Sequence, residues 1–469
     1  MNVIWIMVDS LRYDHIGANG NEWIRTPNLD RFASRSLVFD RAFQLSSPTL
    51  PTRTDLFTGR YTFPRNGWGP LPEGAVTAAQ RFTEMGMRTH MIFDTYHLRS
   101  SGQNYNRGFQ SWQWIRGQEG DDLQPRIPRD QVIVHPTRPD IRLDPSKTSG
   151  YPRELANLRF RRFESEYISP QTYTAAERWL EYNHDQGPFF LYVDSFDPHE
   201  PWDPPAYYVT LYDPDYRGDA IVHPAFYGFA EEWTAEQIRK MRLLYAGEVT
   251  MVDRWLGRLL LKIEDMRLLE NSMVVIMSDH GFLIGDHGRV GKANRDGKRL
   301  FSLTGDDRYN HPWPFYRIVN QLTFMLHVPW MSEGRRTPAI VQPHDLLPTT
   351  LEWLGQEIPL EIEGQSFLAV LKGEADRHRD FAITSRELVT DCTSISSIST
   401  VTDGRFQLHF STRPGDTELH DLEGEGGEDA NVLREYRDLA HDLHHKFFRT
   451  IRDKVNDPRK AELLEKLPE

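Results

Sequence analysis

Three short apolar runs, each followed at once by acidic or imidazole side chains, constrain the fold of this chain most. The runs are residues 3–8, 189–193 and 273–277, and they lead into Asp9, residues 194–199 and Asp279-His280. Apolar runs of this length are typical of strands buried on both faces of a parallel sheet. Because parallel strands share one carboxyl edge, polar clusters after three of them predict a ligand-binding edge. The predicted fold is α/β, with a large, mostly parallel central sheet flanked by helices.

The remaining sequence predicts two domains and two insertions. Helical periodicity is clearest at residues 235–265 and 27–35. We expect residues 1–375 to form the main domain and residues 376–469 a smaller C-terminal α+β subdomain with a helix at 433–455. Residues 115–160, rich in proline and arginine, and residues 299–314 lack clean periodicity, so we expect insertions near the site. A surface insertion without a binding role explains residues 115–160 equally well.

Composition excludes several classes of protein. Hydrophobic residues make up 39% of the 469 residues and charged residues 26%, which is typical of a folded globular chain. A net charge of −13 disfavours binding to nucleic acid or an anionic membrane. The single cysteine, Cys392, excludes an intrachain disulfide. No signal peptide and no run of roughly 18 apolar residues is visible, so we expect a cytoplasmic protein. The oligomeric state stays open, and a homo-oligomer is compatible with the sequence.

The segment around Thr49 has the features of an anion-binding helix start. Pro51 suits the first turn of a helix, which leaves Thr49 just before the helix N-terminus. Free backbone N–H groups at that end favour an anion, and Arg53 lies one helical turn further along. A hydroxyl with anion-stabilising donors suits transfer of a phosphoryl or sulfuryl group. On this segment alone, a Thr49 that only caps the helix is an equally valid interpretation.

The order of motifs along the chain resembles that of the sulfatase family, part of the alkaline phosphatase superfamily. The family motif of Cys or Ser, any residue, Pro, a Ser-like residue and Arg, then Leu and Thr-Gly, is similar to Thr49-Leu50-Pro51-Thr52-Arg53, Leu56 and Thr58-Gly59. Other landmarks follow in family order at residues 9–17, 26–31, 105–109, 197–201, 278–281, 285–288, 292, 344–349 and 418–422. The resemblance spans residues 3–430 and implies the sulfatase fold.

The resemblance also implies a metal site. At matching positions, Asp9, Asp279 and His280 would hold one divalent ion, with the Thr49 oxygen as a further ligand. Oxygen ligands alone suit Ca²⁺ or Mg²⁺, whereas an imidazole among carboxylates favours Mn²⁺, Fe²⁺ or Zn²⁺. The expected cofactor is therefore one ion of Mn, Fe, Zn or Ca.

Four further residues match family positions around the substrate anion, namely Arg53, His97, His199 and Lys292. His97 is similar to a histidine that assists at the nucleophile. His199 and Lys292 are similar to residues that contact the anion or protonate the leaving group. A histidine between two prolines, as His199 is, also suits a turn residue bonded to the backbone.

The chain departs from the family pattern at several positions. Thr49 replaces the Cys or Ser from which sulfatases make formylglycine, and oxidation of a threonine would give a ketone at best. Ser10 replaces a second Asp, and His280 stands where Asn is common. These two changes resemble the phosphonate monoester hydrolase and choline-sulfatase branch. Thr95 replaces a lysine. A hydroxyl at position 49 that attacks directly is similar to the threonine nucleophile of related phosphodiesterase branches.

Three functions are compatible with these features. The first is a metal-dependent hydrolase of phosphate or phosphonate esters with Thr49 as its metal-bound nucleophile, acting on a small anionic ester. The second is a sulfuric ester hydrolase that tolerates Thr49, since phosphoryl and sulfuryl transfer share geometry and charge development. The third is a catalytically inactive, sulfatase-like binding protein. We favour an enzyme over a binding protein because seven implied site residues remain, namely Asp9, Arg53, His97, His199, Asp279, His280 and Lys292. We favour phosphorus esters because Thr49 cannot form the aldehyde that sulfatases use.

Overall fold

The computed structural model describes residues 1–125, 156–159, 161–216, 223–294, 297–388, 398–455 and 458–468. The strands are β1 Asn2–Val8, β2 Leu37–Ala42, β3 Arg88–Phe93, β4 Ser111–Trp114, β5 Phe189–Ser195, β6 Gly228–Phe229, β7 Ser272–Ser278, β8 Leu283–Ile284, β9 Arg289–Gly291, β10 Phe324–His327, β11 Arg335–Val341, β12 Ala382–Ser385, β13 Ser399–Thr402, β14 Phe406–Phe410 and β15 Glu418–Asp421.

The helices follow the same chain order. They are α1 Pro27–Ala33, α2 Thr49–Thr58, α3 Ala78–Glu84, α4 Ile168–Asn183, α5 Ala206–Thr210, α6 Ala235–Asp265, α7 Gly297–Thr304, α8 Arg317–Asn320, α9 Leu346–Trp353, α10 Leu368–Lys372, α11 Arg437–Ile451 and α12 Pro458–Leu463. None of the helices in the described ranges combines the length and apolar character that crossing a membrane requires.

Eight of the described strands form one sheet, in the order β11-β2-β10-β7-β1-β5-β3-β4. β1 pairs in parallel with β5 and β7, and β3 pairs in parallel with β5 and β4. β10 runs antiparallel to β7 and β2. The predicted α/β fold with a mostly parallel sheet is confirmed. The three apolar runs of the sequence are β1, β5 and β7.

The described residues divide into two compact units. The first comprises Met1–Val38, Ala79–Gly291 and Thr323–Arg335. Its longest helix, α6, spans 31 residues and begins where the periodicity predicts. Thr234 fixes that start: its hydroxyl oxygen accepts a bond from Gln237 N at 3.2 Å, while Gln237 Oε1 accepts from Thr234 N at 2.9 Å.

The second unit comprises Phe39–Ala78, Lys292–Leu322 and Arg336–Glu469. It contains the antiparallel sheet β12-β13-β14-β15, and α11 lies against β13 and β14. The apolar side chains between them include Ile383, Leu408 and Phe447, all with at most 1% exposure. Leu45 and Phe63 from the first segment of the unit join the same core. The predicted C-terminal α+β architecture is confirmed, whereas a domain boundary at residue 375 stays a prediction.

Residues 299–314 contain more regular structure than expected. They include most of α7 and a 3₁₀ turn at Asp307–Asn310. The Asn294 amide donates to the carbonyl oxygens of Tyr309 and His311 at 2.7 and 2.6 Å, which satisfies backbone acceptors that sequence periodicity does not reveal. The position of this segment near the site stays a prediction. Residues 126–155 of the other expected insertion, and Cys392, lie outside the described residues.

Candidate metal centre and active site

The carboxyl ends of β1, β5 and β7 bring polar residues to one edge of the sheet. Val8 is in register with Ser195 of β5 and with Ser278 of β7. The residues that follow are therefore neighbours in space, although they are far apart in sequence. Asp9 follows β1, and Asp279 and His280 follow β7.

Asp9, Asp279 and His280 form a compact group of possible metal ligands. One ligand atom from each lies within 4.8 Å of the others, and exposure of these residues is at most 1%. The distances from His280 Nε2 are 3.8 Å to Asp9 Oδ1 and 3.6 Å to Asp279 Oδ2. Two carboxylates so close together and so deeply buried are costly to hold without a positive charge.

The hydrogen bonds of this group fit a divalent cation. His280 Nδ1 lies 3.1 Å from the Gly281 carbonyl oxygen, which can only accept a hydrogen bond. That bond places the hydrogen on Nδ1 and the lone pair of the neutral ring on Nε2, which faces the carboxylates. The lone pair on Nε2 and the two carboxylates repel one another. A cation bound between the three side chains would remove this repulsion, because all three would then coordinate it. The residues present therefore fit a bound metal.

Ser10 ties the group together where the family pattern has a carboxylate. Its backbone N–H donates to Asp279 Oδ1 at 3.0 Å, and its hydroxyl donates to Asp9 Oδ1 at 3.0 Å. The hydroxyl oxygen is also 3.4 Å from His280 Nδ1. Ser10 has a positive φ of 59°, and Tyr245 of α6 donates to its carbonyl oxygen at 2.7 Å. The long helix thus fixes the turn that follows β1.

His97 lies in the same unit, in a 3₁₀ turn that follows β3. Its Nε2 is 2.9 Å from Glu119 Oε2, and the Glu119 side chain is only 7% exposed. The His97 ring also packs edge-on against Phe196, with 6.1 Å between ring centroids.

His199 also contacts Phe196, stacked on that ring with centroids 4.0 Å apart. Its Nδ1 is 2.5 Å from the Glu200 carbonyl oxygen and 3.3 Å from Glu200 Oε2. His199 is 5% exposed and Glu200 is fully buried. The two predicted histidines therefore share one aromatic neighbour, and each has a buried glutamate beside it.

The first unit also contains buried acidic side chains. Gln118 Nε2 donates to Asp197 Oδ1 at 2.7 Å, and Thr172 donates to Asp94 Oδ2 at 2.6 Å. Burial raises the pKa of Asp197 to about 7. Burial and the nearby Asp197 also raise the pKa of Asp94 well above its ordinary value.

Thr49 and Arg53 lie in the second unit, on α2. Thr49 is the first residue of that helix rather than the residue before it, and Pro51 lies in the first turn as predicted. Arg53 is fully buried, and its Nη1 donates to the Thr49 carbonyl oxygen at 3.1 Å. Asp55 accepts bonds from Ser46 N and Thr62 N at 2.8 and 2.9 Å, which anchors the helix within its unit.

Lys292 also belongs to the second unit and is half-buried directly after β9. The structure thus brings Asp9, Asp279 and His280 together. A cation that these residues share with Thr49, and an anion that Arg53, Lys292, His97 and His199 all contact, stay predictions.

Glu119 and Glu200 were not identified by sequence reasoning. Glu200 directly follows His199, so adjacency was the available signal, but a single acidic neighbour is too common to be specific. Glu119 lies between glycines, in a stretch interpreted as an insertion. Its positive φ of 42° and its contact with His97 appear only in the folded chain.

Comparison with known proteins is consistent with this geometry. A family model described as Sulfatase matches residues 1–356. The arylsulfatase of Clostridium perfringens is 24% identical, over 93% of this chain and 91% of its own length. A multifunctional alkaline phosphatase superfamily protein of Trinickia caryophylli is 26% identical, over 79% of this chain and 77% of its own length.

Solved structures show the same fold. The phosphonate monoester hydrolase of Agrobacterium radiobacter superposes with a TM-score of 0.72 at 19% identity, covering 97% of this chain and 96% of that one. The phosphonate monoester hydrolase of Silicibacter pomeroyi superposes with a TM-score of 0.70 at 20% identity, covering 97% and 95%. At these identities the likeness concerns the fold.

Proposed function

The chain belongs to the sulfatase family of metal-dependent ester hydrolases, and from this premise we propose that it hydrolyses phosphate or phosphonate esters with the Thr49 hydroxyl as nucleophile. The observation that carries the proposal is the residue at the nucleophile position. Thr49 begins a helix whose buried Arg53 folds back onto it. The positive end of a helix dipole and a guanidinium both stabilise a transferring anion.

One divalent ion of Mn, Fe, Zn or Ca would be held by Asp9, Asp279, His280 and the Thr49 oxygen. When bound, such an ion lowers the pKa of a coordinated hydroxyl and stabilises charge on the transferring group. Asp9 and Asp279 are buried and close together, and Nε2 of His280 faces them, which supports this assignment. Metal analysis of the purified protein tests it, and a protein that binds no divalent ion would favour the inactive binding protein.

The proposed reaction has two steps. Thr49 gives its hydroxyl proton to a neutral His97 as its oxygen forms a bond to phosphorus. The bond to the leaving oxygen breaks, and that oxygen takes a proton from His199, with Lys292 near the anion. A water molecule then attacks the phosphothreonine and gives one proton to the neutral His199, while the bond from phosphorus to the Thr49 oxygen breaks and that oxygen takes its proton back from His97. The substrate is a small anionic ester.

The first test compares substrates. We expect the metal-loaded protein to release nitrophenol from a phosphate diester and from a phosphonate monoester faster than from nitrophenyl sulfate. Relatives named as sulfatases, including the arylsulfatase of Clostridium perfringens, make sulfate the main competing substrate class. A dominant sulfate activity would overturn the preference for phosphorus esters.

The second test changes the nucleophile. We expect Thr49→Ala to lower kcat by at least about 10³-fold, because the attacking oxygen is removed, and mass spectrometry of acid-quenched wild type to find phosphate on Thr49. Thr58→Ala is the matched control. Thr58 ends the same helix and donates only within it, to the Thr54 carbonyl oxygen at 2.7 Å. Equal activity of Thr49→Ala and wild type would contradict the proposal.

A further inference from the structure

Glu200 is a fully buried carboxylate surrounded by groups that can share a proton with it. Tyr227 donates its hydroxyl hydrogen to Oε1. His223 Nε2 is 3.8 Å from Oε1, and His199 Nδ1 is 3.3 Å from Oε2. Burial raises the pKa of Tyr245 of α6, and the nearby Glu200 carboxylate adds to the effect.

The only groups among these that can carry a positive charge are the two imidazoles. A carboxylate removed from water is costly unless a cation or hydrogen-bond donors compensate it. The same carboxylate stabilises the protonated form of an imidazole beside it. The charge of Glu200 therefore favours a protonated ring at His199 or at His223, and His199 is closer.

The backbone of Glu200 fixes which nitrogen of His199 can transfer a proton. A carbonyl oxygen only accepts, so the 2.5 Å contact from His199 Nδ1 requires hydrogen on Nδ1. The proton that His199 exchanges is then on Nε2. Stacking on Phe196, with 24° between the ring planes, holds the ring in this orientation. One residue thus sets the orientation of His199 through its carbonyl group and its charge through its side chain.

We propose that Glu200 is a positioning residue that keeps His199 protonated, so that Nε2 supplies a proton to the leaving oxygen of the ester. As the bond to the leaving oxygen breaks, that oxygen keeps the bonding electron pair and takes the Nε2 proton. His199 becomes neutral, and Glu200 keeps its charge throughout. The inference rests on the proposed function for the identity of the nucleophile and of the phosphorus ester.

The test compares two leaving groups in one variant. Protonation matters for a poor leaving group such as phenol and little for dinitrophenol, which departs as a stable anion. We expect Glu200→Gln to slow release of phenol by about 10²-fold and release of dinitrophenol by less than about 3-fold. Both rates come from one preparation, so a smaller folded fraction lowers them equally and leaves their ratio unchanged.

Two further variants complete this test. Glu177→Gln removes another buried carboxylate of the same unit, one paired with Arg258 at 3.2 Å, and we expect it to leave the ratio unchanged. Combining His199→Ala with Glu200→Gln should be no slower on the phenyl ester than His199→Ala alone, because Glu200 acts through the imidazole. Equal slowing of both leaving groups by Glu200→Gln, or additive effects in the double variant, would overturn the inference.

These experiments test the role of Glu200 even if the proposed function is wrong. The two leaving groups are compared in whichever ester class the wild type hydrolyses faster, sulfate esters included. A preference for sulfate esters would contradict the proposed function, but the comparison of leaving groups would still test the role of Glu200. If no ester is hydrolysed, ¹⁵N-histidine NMR decides, with the His199 signal assigned from His199→Asn. The ring should release its proton at a lower pH in Glu200→Gln than in wild type, and identical titration of the two proteins refutes the inference.

Discussion

Ser10 is the residue at which this chain differs most informatively from the family pattern of metal ligands. Its hydroxyl and N–H hold Asp9 and Asp279, so a neutral side chain occupies a position that the family fills with a second aspartate. The group then has two carboxylates and one imidazole. We expect this lower negative charge to favour a borderline transition metal over Ca²⁺.

Restoring the aspartate tests this interpretation. We expect Ser10→Asp to bind Ca²⁺ at least about 10-fold more tightly than wild type, because a third carboxylate adds a hard, charged ligand. Without metal, the same variant should unfold at a lower temperature, since three buried carboxylates repel one another. Isothermal titration calorimetry and thermal unfolding measure the two effects.

Ser10→Asn is the matched control for this substitution. Asparagine has the size of aspartate and tolerates the positive φ of 59° at this position, but it adds no charge. Equal Ca²⁺ affinity of the Asp and Asn variants would show that size, not charge, sets the preference.

At the residue scale, the sequence predicted ligands better than their supporting partners. Apolar runs placed Asp9, Asp279 and His280 at one edge of the sheet, the resemblance to the sulfatase family implied that they hold a metal, and the structure shows that strand register brings them together. Glu119 and Glu200 act through contacts that depend on backbone angles and ring stacking. Such contacts have no periodic signal in the sequence.

At the scale of elements, α6 organises much of the first unit. It carries Tyr245 to Ser10, and Asp253 on the same helix accepts bonds from Leu29 N and the Asn28 amide at 2.8 Å each. Asp253 thereby caps the N-terminus of α1. Gly257, one turn further along α6, leaves the space into which the Asn28 side chain fits.

Because of this close approach, we expect a glycine-to-alanine substitution at position 257 to destabilise the protein, whereas the same change inside a helix is usually stabilising. Glycine to alanine inside a helix normally stabilises by about 1 kcal/mol. At Gly257 the added Cβ would lie 2.2 Å from Asn28 Cγ, and the Asn28 side chain is held by Asp253. We therefore expect Gly257→Ala to lower the free energy of unfolding by about 1–3 kcal/mol in urea.

Removing the opposing side chain should reverse that effect. In an Asn28→Gly background the three side-chain atoms nearest to the added Cβ are absent, including Asn28 Cβ at 2.6 Å, so Gly257→Ala should be neutral or stabilising by up to about 1 kcal/mol. An equal cost in both backgrounds would mean that the packing of α6 against α1 is not the cause.

Helices and strands with a clear pattern of apolar residues were predicted from the sequence, and those without such a pattern were not. The buried strands were predicted from apolar runs, and α6 was predicted from its helical periodicity over residues 235–265. Helix α7 was missed because its eight residues lie in a polar stretch, where hydrogen bonds from Asn294 to nearby carbonyls support the fold.

At the scale of the whole molecule, buried acidic groups link stability to pH. Asp94, Asp197, Asp203 and Glu248 lie in the first unit, with Arg161 paired to Asp203. Burial raises the pKa of Glu248 well above its ordinary value, and the nearby Asp197 and Asp203 add to the effect. The folded state therefore retains protons that the unfolded chain has already released.

The sign of the pH dependence follows from this linkage. A raised pKa contributes stability that is present below the ordinary pKa of the carboxyl and is lost as pH rises through the folded value. We expect wild type to lose more free energy of unfolding between pH 6 and about 8.5 than Glu248→Gln does. Urea denaturation at fixed metal concentration measures both proteins.

Asp265→Asn is the control for this comparison, since Asp265 is an exposed carboxylate at the end of the same helix. The free energy of unfolding of this variant should change with pH as that of wild type does. If the free energy of unfolding of Glu248→Gln also changes with pH as that of wild type does, Glu248 binds no extra proton in the folded state.

The second unit is assembled from three separate stretches of the chain, and this order has a consequence for biosynthesis. Leu45 and Phe63 emerge from the ribosome early, yet their core partners Ile383 and Leu408 are translated more than three hundred codons later. Because translation proceeds at about 5–20 residues per second, these apolar side chains wait tens of seconds for their partners. The helix that carries Thr49 belongs to the waiting stretch, so nascent chains expose it to chaperones and proteases before the unit can close.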